Sequence, residues 1–255
     1  MLVTRKQKVQ PLAALLAVLL LTSCRDSNEQ PPAPVAATPV DAATAGSITA
    51  EVRFLGNASP AQAINMSSAP GCAKLHDGTV YDRPVAAENG ALSNAVVYIK
   101  DGLQGWIFAP PADPAVLDQK GCLYEPRVAA AMVGQGVQFE NSDTEAHNVH
   151  GRPQLLSAWN FMMSRAGQTR TLYFDKPEMG IAVGCDIHPW MKAYLCVMPN
   201  PYFGVSGADG RVQLTNVPPG NYTLAVWHES LGAMEQRISL SPKGEAAVSF
   251  TYQAK

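Results

Sequence analysis

The pattern that most limits the fold is a series of short apolar runs of strand length, with period-two alternation and turn residues between them. Ile48, Ala50, Val52 and Phe54 alternate with Thr49, Glu51 and Arg53, as in a strand with one buried face. Further runs follow at 95–99, 128–133, 137–140, 171–174, 180–184, 193–198, 212–214, 222–227, 238–240 and 248–252. Turn signals such as Gly134-Gln-Gly136, Ala208-Asp-Gly210 and Pro218-Pro-Gly220 separate them. Short strands at such spacing predict an all-β sandwich. No segment has a strong amphipathic helical period, and 112–119 is assigned at most one helical turn.

The first residues read as an address. A basic start (Arg5, Lys6, Lys8) precedes the apolar run 12–21, which is too short to span a bilayer comfortably and ends in Leu21-Thr22-Ser23-Cys24. Small residues directly before a cysteine resemble a bacterial lipobox. The expectation is a signal peptide at 1–23, cleavage before Cys24 and lipidation of Cys24, with an ordinary secretory signal as the alternative. This places the protein in the periplasm or cell envelope, anchored to a membrane by lipid. Arg25, where an Asp commonly retains such proteins at the inner membrane, favours the outer membrane if the host is Gram-negative. From Cys24 to about Ala45 the chain is rich in Pro, Ala, Ser, Thr and Asp, a composition for a semi-extended tether without a core.

A formal charge of −2, with Lys and Arg scattered, provides no basic stripe and excludes nucleic acid as the expected partner. Of the five cysteines, Cys72 and Cys122 each follow a glycine in Pro-rich or polar surroundings, and an exported protein can keep them as a disulfide. Cys196 lies in an apolar strand-like run and reads as a buried thiol. A Cys185–Cys196 bridge is the alternative, and it would exclude a metal at Cys185.

Cys185-Asp-Ile-His188-Pro-Trp-Met191, with His147 about forty residues upstream, carries the chemistry. Two imidazoles and a thiolate in a plane, with a weak axial thioether, are the donors of a mononuclear copper site for electron transfer. The softer sulfur donors hold Cu(I), and imidazole suits both oxidation states. Taken singly, each of these residues is more often core or surface than ligand. Their joint spacing carries the reading.

The stretch 133–197 resembles a cupredoxin, and among cupredoxins it is most similar to amicyanin. The similarity rests on Gly134-Gln-Gly-Val-Gln-Phe-Glu-Asn141-Ser-Asp143, on Ala146-His147-Asn148-Val149-His150, and on Cys185-x-x-His188-x-x-Met191. The resemblance implies one type 1 copper held by His147, Cys185, His188 and Met191. Asn148 would tie the two ligand loops together, and the edge of His188 would reach the surface through a rim containing Pro189 and Trp190. His150 would not be a ligand, since three residues on along a strand it leaves by the opposite face, but it is the reserve for His147. The implied partners are redox proteins of the c-type cytochrome or periplasmic dehydrogenase class.

The C-terminal Val205-Ser-Gly-Ala-Asp-Gly210 and Asn216-Val-Pro-Pro-Gly220-Asn-Tyr222 resemble a carboxypeptidase regulatory-like module, a small transthyretin-type β sandwich. The expected division is 1–23 signal, 24–45 tether, 46–94 strand and loop region, 95–200 cupredoxin Greek-key sandwich and 201–255 β module. Pairing of 46–54 with that module would make the cupredoxin an insertion. The expected function is a monomeric electron carrier rather than an enzyme, because four ligands leave no open position for substrate. Copper storage or delivery, and a non-metal envelope or carbohydrate-binding lipoprotein, are the alternatives.

Overall fold

A computed structural model describes residues 27–254 of the chain; the expected signal peptide and Cys24 lie outside them. The described residues are all-β apart from short helical turns at Ser27–Glu29 and Pro70–Ala73. No helix among them is long and apolar enough to cross a membrane.

Two sandwiches stack on one another. In the first, one sheet runs in the order Gln168–Tyr173, Gly136–Asn141, Ala115–Lys120, Leu123–Glu125. It faces a sheet of Trp159–Met163, His147–Arg152, Glu178–Gly184, Lys192–Met198 and Val128–Met132. Each of these sheets contains one parallel pair, 136–141 with 115–120 and 192–198 with 128–132. The second sandwich pairs Gly46–Leu55 with Arg211–Val217, Glu245–Gln253 and Ala91–Leu92, and Ala91–Leu92 in turn with Ala87–Glu88. Facing this sheet is one of Phe203–Val205, Val96–Asp101, Gly220–His228 and Gly232–Leu240.

Alternation explains the stacking. In Lys192–Met198, Ala193, Leu195 and Val197 enter the core of the first sandwich with Val137, Phe139 and Ile181. Tyr194, Cys196 and Met198 point the other way, where they meet Val96, Tyr98, Phe203 and Trp227 of the second sandwich. Both faces of this strand are apolar because both are covered. Val97 and Ile99, alternating with Val96 and Tyr98, then line the second core with Ile48, Leu224 and Phe250. At the margin of the stack Arg127 pairs with Glu229 across the sandwiches and with Asp82 at 2.7 Å.

Three expectations change. The division at residue 95 fails, because Val96–Asp101 pairs with Phe203–Val205 and Gly220–His228 and so belongs to the second sandwich. That sandwich is assembled from both sides of the first, which is an insertion within it. The helical turn allowed at 112–119 is instead the strand Ala115–Lys120, where parallel pairing with 137–141 overrides local preference. The tether at 24–45 lies, in its described part, along the surface of both sandwiches, with Lys243 N–H of the second donating to Thr44 O (2.9 Å). Thr38 N–H donates to Ile107 O (2.7 Å), and Glu29 pairs with Arg170.

Gly180 sits where the strand Glu178–Gly184 bulges against the second sandwich. Its φ is +66°, and a Cβ there would stand 2.4 Å from Trp227 Cζ2. Overpacking and a left-handed backbone both penalise a side chain at this position. Gly180→Ala is expected to lower the free energy of unfolding by about 2–4 kcal/mol in a guanidinium titration, and an unchanged midpoint would contradict this packing.

Candidate metal centre

The site forms at one end of the first sandwich because two neighbouring antiparallel strands exchange start for finish there. His147 opens His147–Arg152, Cys185 follows the last residue of Glu178–Gly184, and the register pairs His150 with Gly184. Residues 185–191 then form a tight loop closed by a hydrogen bond from Met191 N–H to His188 O (2.9 Å). His147, Cys185, His188 and Met191 are all buried, at 0%, 4%, 5% and 1% exposure.

The donor atoms of three of them converge. His147 Nδ1 and His188 Nδ1 face each other at 3.0 Å, and Cys185 Sγ is 3.8 Å from His188 Nδ1. These three residues form one of the groups able to hold a metal ion. With metal–nitrogen bonds of about 2.0 Å and a metal–sulfur bond of about 2.3 Å, angles of roughly 100–120° give N···N of about 3.1–3.5 Å and N···S of about 3.3–3.7 Å. The observed separations fit a metal between them. Met191 is packed in the same cluster as Cys185, as an axial donor would be.

Hydrogen bonds set the protonation of each ring. Asp143 Oδ2 lies 2.9 Å from His147 Nε2. A carboxylate only accepts, so Nε2 carries a proton and Nδ1 is the ring nitrogen turned to the site. Burial opposes charge on His147, but the bonds to Cys185 and Asp143 outweigh it and raise its pKa. Burial likewise pushes the Cys185 thiol up, yet the bond to His147 and the backbone N–H groups of Asn148, His188 and Ile187 bring it below the ordinary thiol value. Burial and the neighbouring His147 depress His188, which keeps it a neutral donor. The chemistry suits a thiolate with two imidazoles.

Asn148 ties the ligand loops together. Its Oδ1 accepts from Asp186 N–H (2.6 Å), its Nδ2 reaches Asp186 Oδ2 (2.9 Å), and its backbone N–H lies 3.5 Å from Cys185 Sγ. Tyr124 OH is within reach of the carbonyls of Asn148 (2.8 Å) and Gly184 (3.1 Å), joining the same two strands from beneath. His150 points away from the cluster to Asp186 (2.9 Å), whose pKa falls to about 2 through hydrogen bonds from His150 and Asn160. Cys196 does not bridge to Cys185; both thiols are free, and burial raises Cys196 to about 12.

Cys72 and Cys122 form a disulfide, and its position changes one expectation. The edge of His188 was expected at the surface, but Cys72 Sγ lies 3.4 Å from His188 Nε2 and the disulfide covers it. The cover exists because the Pro70–Ala73 turn is drawn onto the site by that bond. Gly71 faces the movable end of the Glu145 side chain in this approach. Trp190 remains half-buried beside His188, with ring centroids 5.2 Å apart, and its indole N–H donates to Cys122 O (3.0 Å). Pro189 and Ile187 are exposed around it.

Asp143 is the residue whose role sequence reasoning missed. Its two oxygens accept from His147, from Gly121 N–H (2.7 Å) and from Cys122 N–H (2.7 Å), so one carboxylate orients a donor ring and holds the disulfide loop. The available signal was an acidic residue four positions before a candidate ligand, in a loop between strands.

The described residues therefore define an all-β protein with a buried cysteine–histidine cluster between two strands of a sandwich. Among solved structures the chain is similar to a Cu(I) form of an amicyanin mutant, at 24% identity over 40% of this chain and 97% of that one, with a TM-score of 0.30. It is also similar to a copper-containing nitrite reductase from Thermus scotoductus, at 22% identity over 38% of this chain and 25% of that one, with a TM-score of 0.30. No protein-family profile and no curated protein matches the chain.

Replacing Asp143 by Ala is expected to weaken copper binding by about 10–100-fold in a chelator-competition titration, as loss of a partner that orients a ligand ring does. Far-UV circular dichroism should keep its β signature while the near-UV signal of the disulfide and Trp190 changes; undiminished affinity would show that Asp143 does not orient His147.

Proposed function

We propose that the protein is an exported copper protein of the cupredoxin type that carries single electrons between redox partners. The observation that carries this reading is the convergence of His147 Nδ1, His188 Nδ1 and Cys185 Sγ at metal-ligand separations within a buried, hydrogen-bonded shell. Copper bound there would supply one-electron Cu(II)/Cu(I) chemistry. Met191 would be the axial donor. The chain's task is to keep the donor geometry fixed: Asp143 holds the His147 ring, and Asn148 and Tyr124 lock the Cys185 loop to its neighbouring strand.

The surface above the site is small and partly apolar. Ile187 is 47% exposed, in the same loop as the exposed Pro189 and half-buried Trp190. Trp190 connects His188 with this surface and is our choice for the contact with a partner. A small, weak docking patch suits rapid exchange between carriers such as a c-type cytochrome or a periplasmic dehydrogenase. The disulfide supports an oxidising compartment, in accord with the export and lipidation signals at 1–24. The second sandwich serves in this reading as a support that packs against the face of the first through Trp227.

The test is a visible absorption spectrum of the chain loaded with Cu(II). An intense thiolate-to-copper band, bleached by ascorbate and lost in Cys185→Ser, is expected. A colourless protein that retains no copper would overturn the reading and favour a non-metal envelope lipoprotein. Copper held without colour or reversible reduction would favour storage or delivery.

A further inference from the structure

His188 is flanked on both nitrogen-bearing sides. Nδ1 faces His147 and Cys185, while Nε2 faces the disulfide, with Cys72 Sγ at 3.4 Å. Cys72, Cys122 and His188 form a second group of close metal-donor atoms, and all three are buried. The function proposed above gives the sulfurs of this disulfide no part in metal binding.

We propose that reduction converts Cys72 and Cys122 into a second soft-metal site, which takes Cu(I) as a dithiolate beside His188. The choice of copper rests on the function proposed above; the site itself rests on the cysteine pair. Three observations support it. Both sulfurs lie at 0% exposure, where free thiolates are disfavoured and a bound soft cation offsets their charge. His188 Nε2 stands where its N–H can donate to one thiolate, so the ring gives up no proton. Cys72 lies on a single helical turn whose Pro70, Ala73, Lys74 and Leu75 are exposed. The Cys122 half is held by Asp143, which accepts from Gly121 N–H and Cys122 N–H (2.7 Å each), and by the Trp190 indole on Cys122 O (3.0 Å). The single turn that carries Cys72, tied by His76 Nε2 to Gly121 O (2.7 Å), is the half whose local opening admits a reductant.

The chemistry balances with an exported dithiol as reductant. That dithiol supplies two electrons and two protons and becomes a disulfide; the Cys72–Cys122 bond breaks and each sulfur becomes a thiol. Cu(I) then forms two copper–sulfur bonds, the two thiol protons pass to water, and the metal keeps its oxidation state. His188 thereby stands between two copper positions. The thiol pair acts as an intake for Cu(I), available only under reducing conditions.

The test is an anaerobic Cu(I) titration of the full chain against a colorimetric chelator, before and after dithiothreitol treatment and removal. Reduction is expected to add a second equivalent of Cu(I), and Cu(I) should protect Cys72 and Cys122 from iodoacetamide in peptide mass spectrometry. Cys72→Ser/Cys122→Ser should bind a single equivalent in both states and keep the Cu(II)–thiolate band; the alkylation of the native chain decides the matter if that variant does not fold. Equal alkylation of both cysteines with and without Cu(I), or no second equivalent, would overturn the proposal while leaving a coloured first site intact. A chain that binds nothing when oxidised, yet shows protected Cys72 and Cys122 when reduced, would support this site and overturn the electron-carrier reading.

Discussion

One buried carboxylate organises the metal end of the molecule. Asp143 is 5% exposed, and carboxylate oxygens in such a place must find donors. Its donors are the His147 ring and the backbone N–H groups of Gly121 and Cys122, which come from separate parts of the chain. Satisfying one side chain therefore fixes the tautomer of an imidazole, seats the turn that carries half of the disulfide, and through that disulfide brings the Pro70–Ala73 turn over His188. Asn141 prepares the loop for this, with its Nδ2 donating to Glu145 O (3.0 Å) and Met163 O (2.9 Å) and its Oδ1 accepting from Asp143 N–H (2.9 Å). Such polar networks position groups well because a partly satisfied network in a low-dielectric interior is costly.

The stack of two sandwiches gives this end a rigid base. Strands 128–132 and 192–198 are covered on both faces, so the sheet that carries His147 and leads into Cys185 packs against two cores at once. The interface combines apolar contact at Trp227 and Met198 with the Arg127–Glu229 pair at its margin. A site held to a fixed geometry benefits from support of this kind, since positions on paired strands are located more tightly than positions on free loops.

The legibility of the chain varied with the range of the interaction. The alternating run at 48–54 announced a strand with one buried face, and Gly46–Leu55 is that strand. Cys185-x-x-His188-x-x-Met191 announced a cluster of donors because the loop is short enough for sequence neighbours to meet in space. Asn148, expected to tie the ligand loops together, makes its bonds to Asp186 within the same pair of loops. By contrast, nothing local to Val96–Asp101 marks it as a strand of the second sandwich. Its apolar residues serve two cores, and a run buried on both faces offers no polar face to indicate its neighbours. Nothing local to Cys72 says that its sulfur will meet His188, 116 residues away.

The sequence by itself determined the kind of structure and the kind of chemistry. Period-two alternation with turn residues favours strands, and the side chains of His147, Cys185, His188 and Met191 offer soft sulfur and borderline imidazole donors whatever their setting. The tertiary structure alone decided which strands pair, that one sandwich is inserted in the other, that His188 is covered by a disulfide, and that Asp143 orients His147. The reason is physical. Backbone sterics and donor chemistry act within a residue or its near neighbours, whereas pairing, burial and long-range hydrogen bonds depend on register and packing that exist only once distant segments have met.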